Sequence, residues 1–254
     1  MAVNIQYASD LHLEFLDNKA FLKQNPLLPA ADTLVLAGDV VPFFSLDKHK
    51  DFFNYLSDHF ETTYWLPGNH EYYYADIAKR NGTLNESIRS NVFLVNNVAV
   101  QVSNVKLLLS TLWSRISPAN QWEIERSMND FHKIRYKGYR FSTDQYNLLH
   151  EECLTFIQSE LKKGGTEETV VFTHHVPTFL HYPEQYKGDI LNDAFAVELF
   201  DLIETSNIAY WGYGHIHCNT PPFNIGNTTM VTNQLGYVIR NEHTQFSLNK
   251  TIVL

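Results

Sequence analysis

The chain has 254 residues, 44% of them hydrophobic, so it can bury a full core as one large α/β domain or two small ones. Its formal net charge of -9 argues against a nucleic-acid partner, because affinity for phosphate backbones comes largely from Lys and Arg. Two cysteines, Cys153 and Cys218, make no disulfide framework and favour a reduced, cytoplasmic setting.

Val3-Asn4-Ile5-Gln6-Tyr7-Ala8 alternates like a strand and runs straight into Ser9-Asp10. A signal peptide needs a basic start and an unbroken apolar stretch, and neither is expected here. No apolar run approaches the roughly 18 residues that a membrane helix requires. Further along, strands are expected at Thr33–Ala37 and Thr62–Leu66, with a helix at Asp47–Phe60 between them. A helix at Asp76–Ser90 and a strand at Val105–Leu109 follow. The helix Thr143–Lys162 is the clearest, with Leu149, Cys153, Phe156, Ile157 and Leu161 mostly at helical spacing and Gly164-Gly165 as its stop. After the strand Thr169–Thr173 come a helix at Asn192–Thr205 and a strand at Ala209–Tyr213. Beyond Gly214 the pattern turns to β-like pieces at Thr228–Thr232, Gly236–Ile239 and Phe246–Leu254. Alternation with a β-rich tail predicts an α/β sandwich, and no linker or composition break divides it, so residues 1–254 read as a single domain.

The stretch 113–141 stands apart. It carries Arg115, Arg126, Lys133, Arg135, Lys137 and Arg140, interleaved with Trp122, Phe131, Tyr136 and Tyr139. It reads either as a solvated insertion or as a positively charged, substrate-covering lid that draws an anion into an acidic protein.

Five short blocks carry the chemistry, and each follows an expected strand: Asp10-Leu11-His12, Gly38-Asp39, Gly68-Asn69-His70-Glu71, His174-His175 and Gly214-His215-Ile216-His217. The carboxyl ends of strands in an α/β sheet share one rim, so blocks this far apart in the chain can converge on one pocket. Imidazole and carboxylate suit Mn, Fe or Zn, and the absence of Cys argues against a structural zinc knot. Seven protein ligands are too many for one tetrahedral ion. They suit two ions sharing a carboxylate, a pair about 3.5–4 Å apart that clamps the attacking and leaving oxygens of a displacement. Each block alone is ordinary: a strand-end turn, a Gly-Asn turn, a buried core histidine. Their joint occurrence in order is what singles them out.

The order D-x-H, G-D, G-N-H-E, strand-end His, G-H-x-H resembles that of the calcineurin-like metallophosphoesterase superfamily, over Asp10 to His217. The resemblance implies a four-layer α/β/β/α sandwich of two mixed sheets flanked by helices. It implies Asp10, His12 and His217 on one metal, Asn69, His174 and His215 on the other, and Asp39 bridging. His70 would be the catalytic residue, near the substrate and off the metals, and a metal-bridging hydroxide the nucleophile. His174 is taken over His175 by position, which leaves His175 to pack or to touch substrate.

The chain departs from the family's protein phosphatases after Gly38-Asp39. Pro42 stands where their second Asp would orient the catalytic histidine, and Phe43 where their Arg would grip phosphate. A phosphoprotein substrate is therefore disfavoured, and Arg115 and Arg140 become candidate substitutes for that Arg. The lead expectation is hydrolysis of a small-molecule or nucleotide phosphodiester. The alternatives are a phosphomonoesterase, a nuclease, or a non-enzymatic metal-binding scaffold.

Overall fold

A computed structural model describes residues 2–165 and 167–254. In chain order the first half runs β1 (Asn4–Ala8), α1 (Leu16–Gln24), β2 (Thr33–Ala37), α2 (Lys50–His59), β3 (Thr62–Leu66), β4 (Leu84–Arg89), β5 (Val92–Asn96), β6 (Val98–Val102) and β7 (Val105–Ser110). Next come α3 (Gln121–Ser127), α4 (Asp130–Lys133), the hairpin β8 (Arg135–Tyr136) and β9 (Tyr139–Arg140), and α5 (Thr143–Lys162). The rest is β10 (Glu168–Thr173), α6 (Phe200–Thr205), β11 (Tyr210–Tyr213), β12 (Phe223–Ile225), β13 (Thr228–Thr232) and β14 (Thr251–Val253).

The strands form two mixed six-stranded sheets, β14-β1-β2-β3-β5-β4 and β12-β13-β11-β10-β7-β6. In each, four parallel strands form the middle and antiparallel strands close the edges. Registers such as Tyr7↔Val35 and Val171↔Trp211 bring the strand ends level. The inner faces meet through Ile5, Val35 and Leu66 from one sheet and Leu107, Val170 and Phe172 from the other. Helices cover the outer faces. Leu22, Phe53 and Leu56 pack on Leu36 and Trp65, while Ile157 and Ile203 pack on Val171 and Trp211. Central strands buried on both faces explain why β2 and β10 read as apolar runs instead of alternating. This is the α/β/β/α sandwich expected from the sequence.

The helix at Thr143–Lys162 forms with the expected bounds behind a capping box: Ser142 takes the backbone N–H of Gln145, whose side chain accepts from the N–H of Ser142. We expect Ser142→Ala to lower unfolding free energy by about 1 kcal/mol, read as a shifted urea midpoint with unchanged slope.

Other expected elements change type. Asp76–Ser90 is not a helix: a 3-10 turn at Ile77–Lys79 is followed by β4, which pairs with β5. Asp76 is spent on the N–H of Ala78 and on those of Lys137 and Gly138 in the β8–β9 turn, and Gly82 adopts φ +67. The Asn192–Thr205 helix is split, because Phe195–Val197 is drawn out to bond Val176 and only Phe200–Thr205 is α-helical. The Asp47–Phe60 helix begins as a 3-10 turn at Phe43–His49. Gly236–Ile239 gives way to a 3-10 turn at Val238–Arg240, and of Phe246–Leu254 only Thr251–Val253 is strand.

The apolar side chains of the 113–141 segment share a core with their neighbours. Trp113, Ile124, Phe131, Ile134 and Phe141 are buried with Tyr72 and Tyr73 of the β3 loop and Tyr146 and Leu149 of α5. Arg115, Arg126, Arg135, Lys137 and Arg140 of the same stretch face solvent.

Candidate metal centre and its surroundings

The five blocks leave the carboxyl ends of β1, β2, β3, β10 and β11, so the rim common to both sheets collects them. The loops are laced together: Asp10 N–H donates to the Gly38 carbonyl, His12 N–H to that of Asp39, and Gly214 N–H to that of His174. Asp10, His12, Asp39, His215 and His217 all adopt positive φ, between 47° and 75°. Such backbone is costly for side chains of this size and persists only where the surroundings over-determine it, as at binding sites.

Donor atoms of Asp10, His12, Asp39 and His217 lie within 4.8 Å of one another, as do those of Asp39, His174 and His215. Asp39 faces both groups: Oδ2 is 3.6 Å from His12 Nε2 and Oδ1 is 3.4 Å from His174 Nε2. Asn69 Oδ1 joins the second group, 3.3 Å from His174 Nε2. Imidazole nitrogens also approach each other, His12 Nε2 with His217 Nε2 at 2.9 Å and His174 Nε2 with His215 Nδ1 at 3.1 Å. Acceptor nitrogens and carboxylates so gathered fit two cations sharing Asp39.

The remaining nitrogen of each imidazole is held. Glu14 holds His12, Glu242 holds His217, the Ala37 carbonyl holds His174 and the Ala194 carbonyl holds His215. This is how a metal-binding histidine is oriented and its tautomer fixed. Asn69 is aimed in the same way, its amide donating to Asp130 at 2.9 Å. Glu71 accepts from the N–H groups of Asp39, Val40 and Gly68 and from Trp65 Nε1, which ties the β2 and β3 loops together.

The charge state follows from these contacts. Burial disfavours charge on His217, but hydrogen bonds to Asp10 and Glu242 outweigh it and push its pKa up to about 10. His174 is likewise opposed by burial yet raised to about 9 beside Asp39. Burial, with neighbouring imidazoles, lowers His12 and His215. In the ion-free chain protons on His174 and His217 therefore offset the carboxylates near neutral pH, and ligation must displace them. We expect loading with Mn²⁺ to release protons and apparent affinity to rise with pH between about 6 and 9. Calorimetric titrations in buffers of different ionisation enthalpy would read both; an affinity independent of pH would contradict the assignment.

His70 lies beside the cluster. Its ring packs on Tyr73 at a tilt of 31°, with centroids 4.1 Å apart, and its Nδ1 bonds Glu14 Oε1 at 2.9 Å. Burial resists protonation of His70, but Asp39 and Glu14 outweigh that and raise its pKa. Burial alone would raise Glu14, yet bonds with His12 and His70 hold it at about 2. The carboxylate absent at Pro42 is thus supplied by Glu14, two residues beyond His12. Its one signal in the sequence is that strand-like spacing, Asp10-x-His12-x-Glu14.

The other expected substrate residues lie elsewhere. His175 is fully buried behind the cluster, packed on His215 at 4.2 Å and Trp113 at 5.1 Å, with Nδ1 toward the Thr111 carbonyl. Arg140 is tied to the carbonyls of Phe131 and Glu125. Arg115 is exposed and, like Arg140 and His175, is absent from the cleft lining. That cleft, of about 310 Å³, has Asp39, Asn69, His70, His215 and His217 at its base. Its walls include Tyr73, Tyr182, Phe195 and Tyr237, and its cation is Arg240. The 113–141 segment contributes Asp130 behind Asn69, and Ser127, Met128 and Asn129 to the wall.

Sandwich, convergent strand ends and paired donor groups define a metal-dependent phosphoesterase. The sequence matches the model of the calcineurin-like phosphoesterases over residues 4–219, and the chain belongs to that family. It is a hydrolase of phosphoester bonds, as expected from the sequence. An uncharacterized protein of Acanthamoeba polyphaga mimivirus, L509, is 32% identical over 92% of this chain and 91% of its own length. In fold the chain is similar to the phosphopantetheinyl hydrolase PptH of Mycobacterium tuberculosis, with a TM-score of 0.72 at 16% identity over 98% of this chain and 95% of that one. Among the described residues no helix is long and apolar enough to cross a membrane.

Proposed function

We propose that the chain hydrolyses a phosphodiester of a small molecule or nucleotide at this cluster. Asp10, His12 and His217 would hold one ion, Asn69, His174 and His215 the other, and Asp39 would be shared between them. When bound, two such ions (Mn, Fe or Zn) supply charge neutralisation at the phosphoryl oxygens and a water acidic enough to attack near neutral pH. Asp39 sets the spacing of the two sites, and Asp130 keeps the Asn69 carbonyl oxygen turned toward His174. His70 carries its proton on the side away from Glu14 and delivers it to the leaving oxygen.

The observation that carries the diester reading is the shape around His70. A second cleft, of about 570 Å³, shares His70, Asn129, Tyr237 and Arg240 with the first and leads away past Phe15 to Lys133. A diester has a substituent for each cleft, whereas a monoester leaves one of them idle. An acidic chain whose site is walled by Tyr182, Phe195 and Tyr237 suits a small substrate better than a nucleic-acid backbone. A reducing, cytoplasmic setting belongs to the same reading, with Cys153 and Cys218 both free thiols. So does a single domain, because the 113–141 core is continuous with Leu149 and Cys153 of α5.

Metal analysis combined with turnover of bis(p-nitrophenyl) phosphate and p-nitrophenyl phosphate tests this. Faster turnover of the diester is expected. Turnover of the monoester alone would overturn the substrate class, and absence of both metal and turnover would leave a binding scaffold.

A further inference from the structure

The second cleft is more than spare volume. Lys133, on α4, rests its ammonium 4.8 Å over the Tyr73 ring and 5.7 Å from that of Tyr74. Tyr73 is itself fixed, packed on His70 and donating its hydroxyl to Asp130 at 2.8 Å. On the other side the Arg240 guanidinium lies 5.1 Å from the Tyr237 ring, which packs 4.8 Å from His12 and 4.5 Å from His217. Each cation therefore stands one aromatic ring away from the reacting centre.

Among the described residues neither cation has a carboxylate within ion-pairing distance, although Glu242 acts on Arg240 from farther off. The Lys and Arg ion pairs of the described residues involve Lys50, Arg80, Lys106, Arg126, Lys163 and Lys187. Two carboxylates line this cleft, Glu14 and Asp17. Glu14 is engaged by His12 and His70, which leaves Asp17 against two cations. In a chain of net charge -9, Lys133 and Arg240 are the two Lys and Arg side chains that face this cleft beside the reactive histidine, and neither is held in an ion pair.

We propose that Lys133 and Arg240 form an anion subsite for a phosphate group carried by one substituent of the diester. The substrate class is then a phosphodiester bearing an additional phosphate, as in a nucleoside bisphosphate ester. A group one ring removed from the metal ligands meets a second anion more readily than the scissile one. Lys as a mobile point charge and Arg as a planar fork suit the several oxygens of a phosphate. This inference rests on the diester reading for the word "substituent", but the subsite itself can be tested by binding alone.

The experiment is calorimetric titration of thymidine 3′,5′-bisphosphate and thymidine 5′-monophosphate into the metal-loaded wild type, Lys133→Gln and Arg240→Gln. The wild type is expected to prefer the bisphosphate by about tenfold or more, one charge-assisted contact's worth. Lys133→Gln is expected to bring that ratio close to one, and Arg240→Gln to lower it. Equal wild-type affinities, or a ratio unmoved in both variants, would overturn the subsite. Turnover of the p-nitrophenyl esters of the same two nucleotides separates the layers. A preserved binding preference without hydrolysis of either ester sinks the diester reading and leaves the subsite. Hydrolysis of both esters without preference does the reverse.

Discussion

His70→Ala is expected to lower kcat toward a diester by about 10²–10⁴-fold while metal content stays at the wild-type level. His70 reaches the cluster through its backbone N–H, which donates to Asp39 Oδ1 at 2.9 Å, and the substitution preserves that bond. Its ring meets Tyr73 and Glu14 and stands edge-on to the ring of His12, with centroids 4.5 Å apart. Glu14→Gln should follow the same direction with a smaller loss, because the amide can still meet Nδ1 but no longer favours the imidazolium. A structural role for either residue would slow all substrates alike. Loss of a proton donor slows a diester with an alkoxide leaving group far more than one with p-nitrophenolate, which departs without help. Because Glu14 also touches His12 at 3.2 Å, its variants need measurement at saturating metal, where a 10–100-fold weaker site is still filled. Equal slowing across leaving groups, or loss of metal together with turnover in His70→Ala, would remove His70 from the acid's role.

The same residues mark what a reader of the sequence can and cannot see. The donor set is legible because each block is local: Asp10 and His12, or His215 and His217, stand two residues apart at the end of a strand whose apolar run announces it. The supporting shell is not, because it is made by long-range contacts. Glu14 meets His70 across 56 positions, Asn69 meets Asp130 across 61, and His217 meets Glu242 across 25. No periodicity joins such pairs. The basic stretch 113–141 is hard to read for a related reason. Arg140 braces the segment's own backbone, while Asp130 supports Asn69 and Ser127, Met128, Asn129 and Lys133 line the clefts. The Asp76–Ser90 segment shows tertiary override of local preference, since Asp76 holds a distant hairpin turn and β4 completes a sheet edge.

Gly68→Ala should be as damaging as losing a ligand, although it removes none. A Cβ on Gly68 would stand 2.2 Å from Asp39 Oδ1 and 2.6 Å from His174 Nε2, inside the space where the shared carboxylate meets the second donor group. Neither atom is the end of a free side chain. Asp39 is pinned by the His70 N–H, and His174 by the Ala37 carbonyl. Asp39 belongs to both donor groups, so its displacement spreads to the two together. A shift of about 1 Å in such a constellation costs on the order of 10²-fold in rate. Gly82→Ala is the control that separates site from backbone. Gly82 has φ +67, and a methyl group there would meet nothing within 4 Å, so that substitution should cost about 1 kcal/mol of stability and leave bound metal unchanged. Metal content by elemental analysis, read beside thermal midpoints, distinguishes them. If Gly68→Ala keeps two ions per chain, the close approach of Gly68, Asp39 and His174 is not what builds the centre.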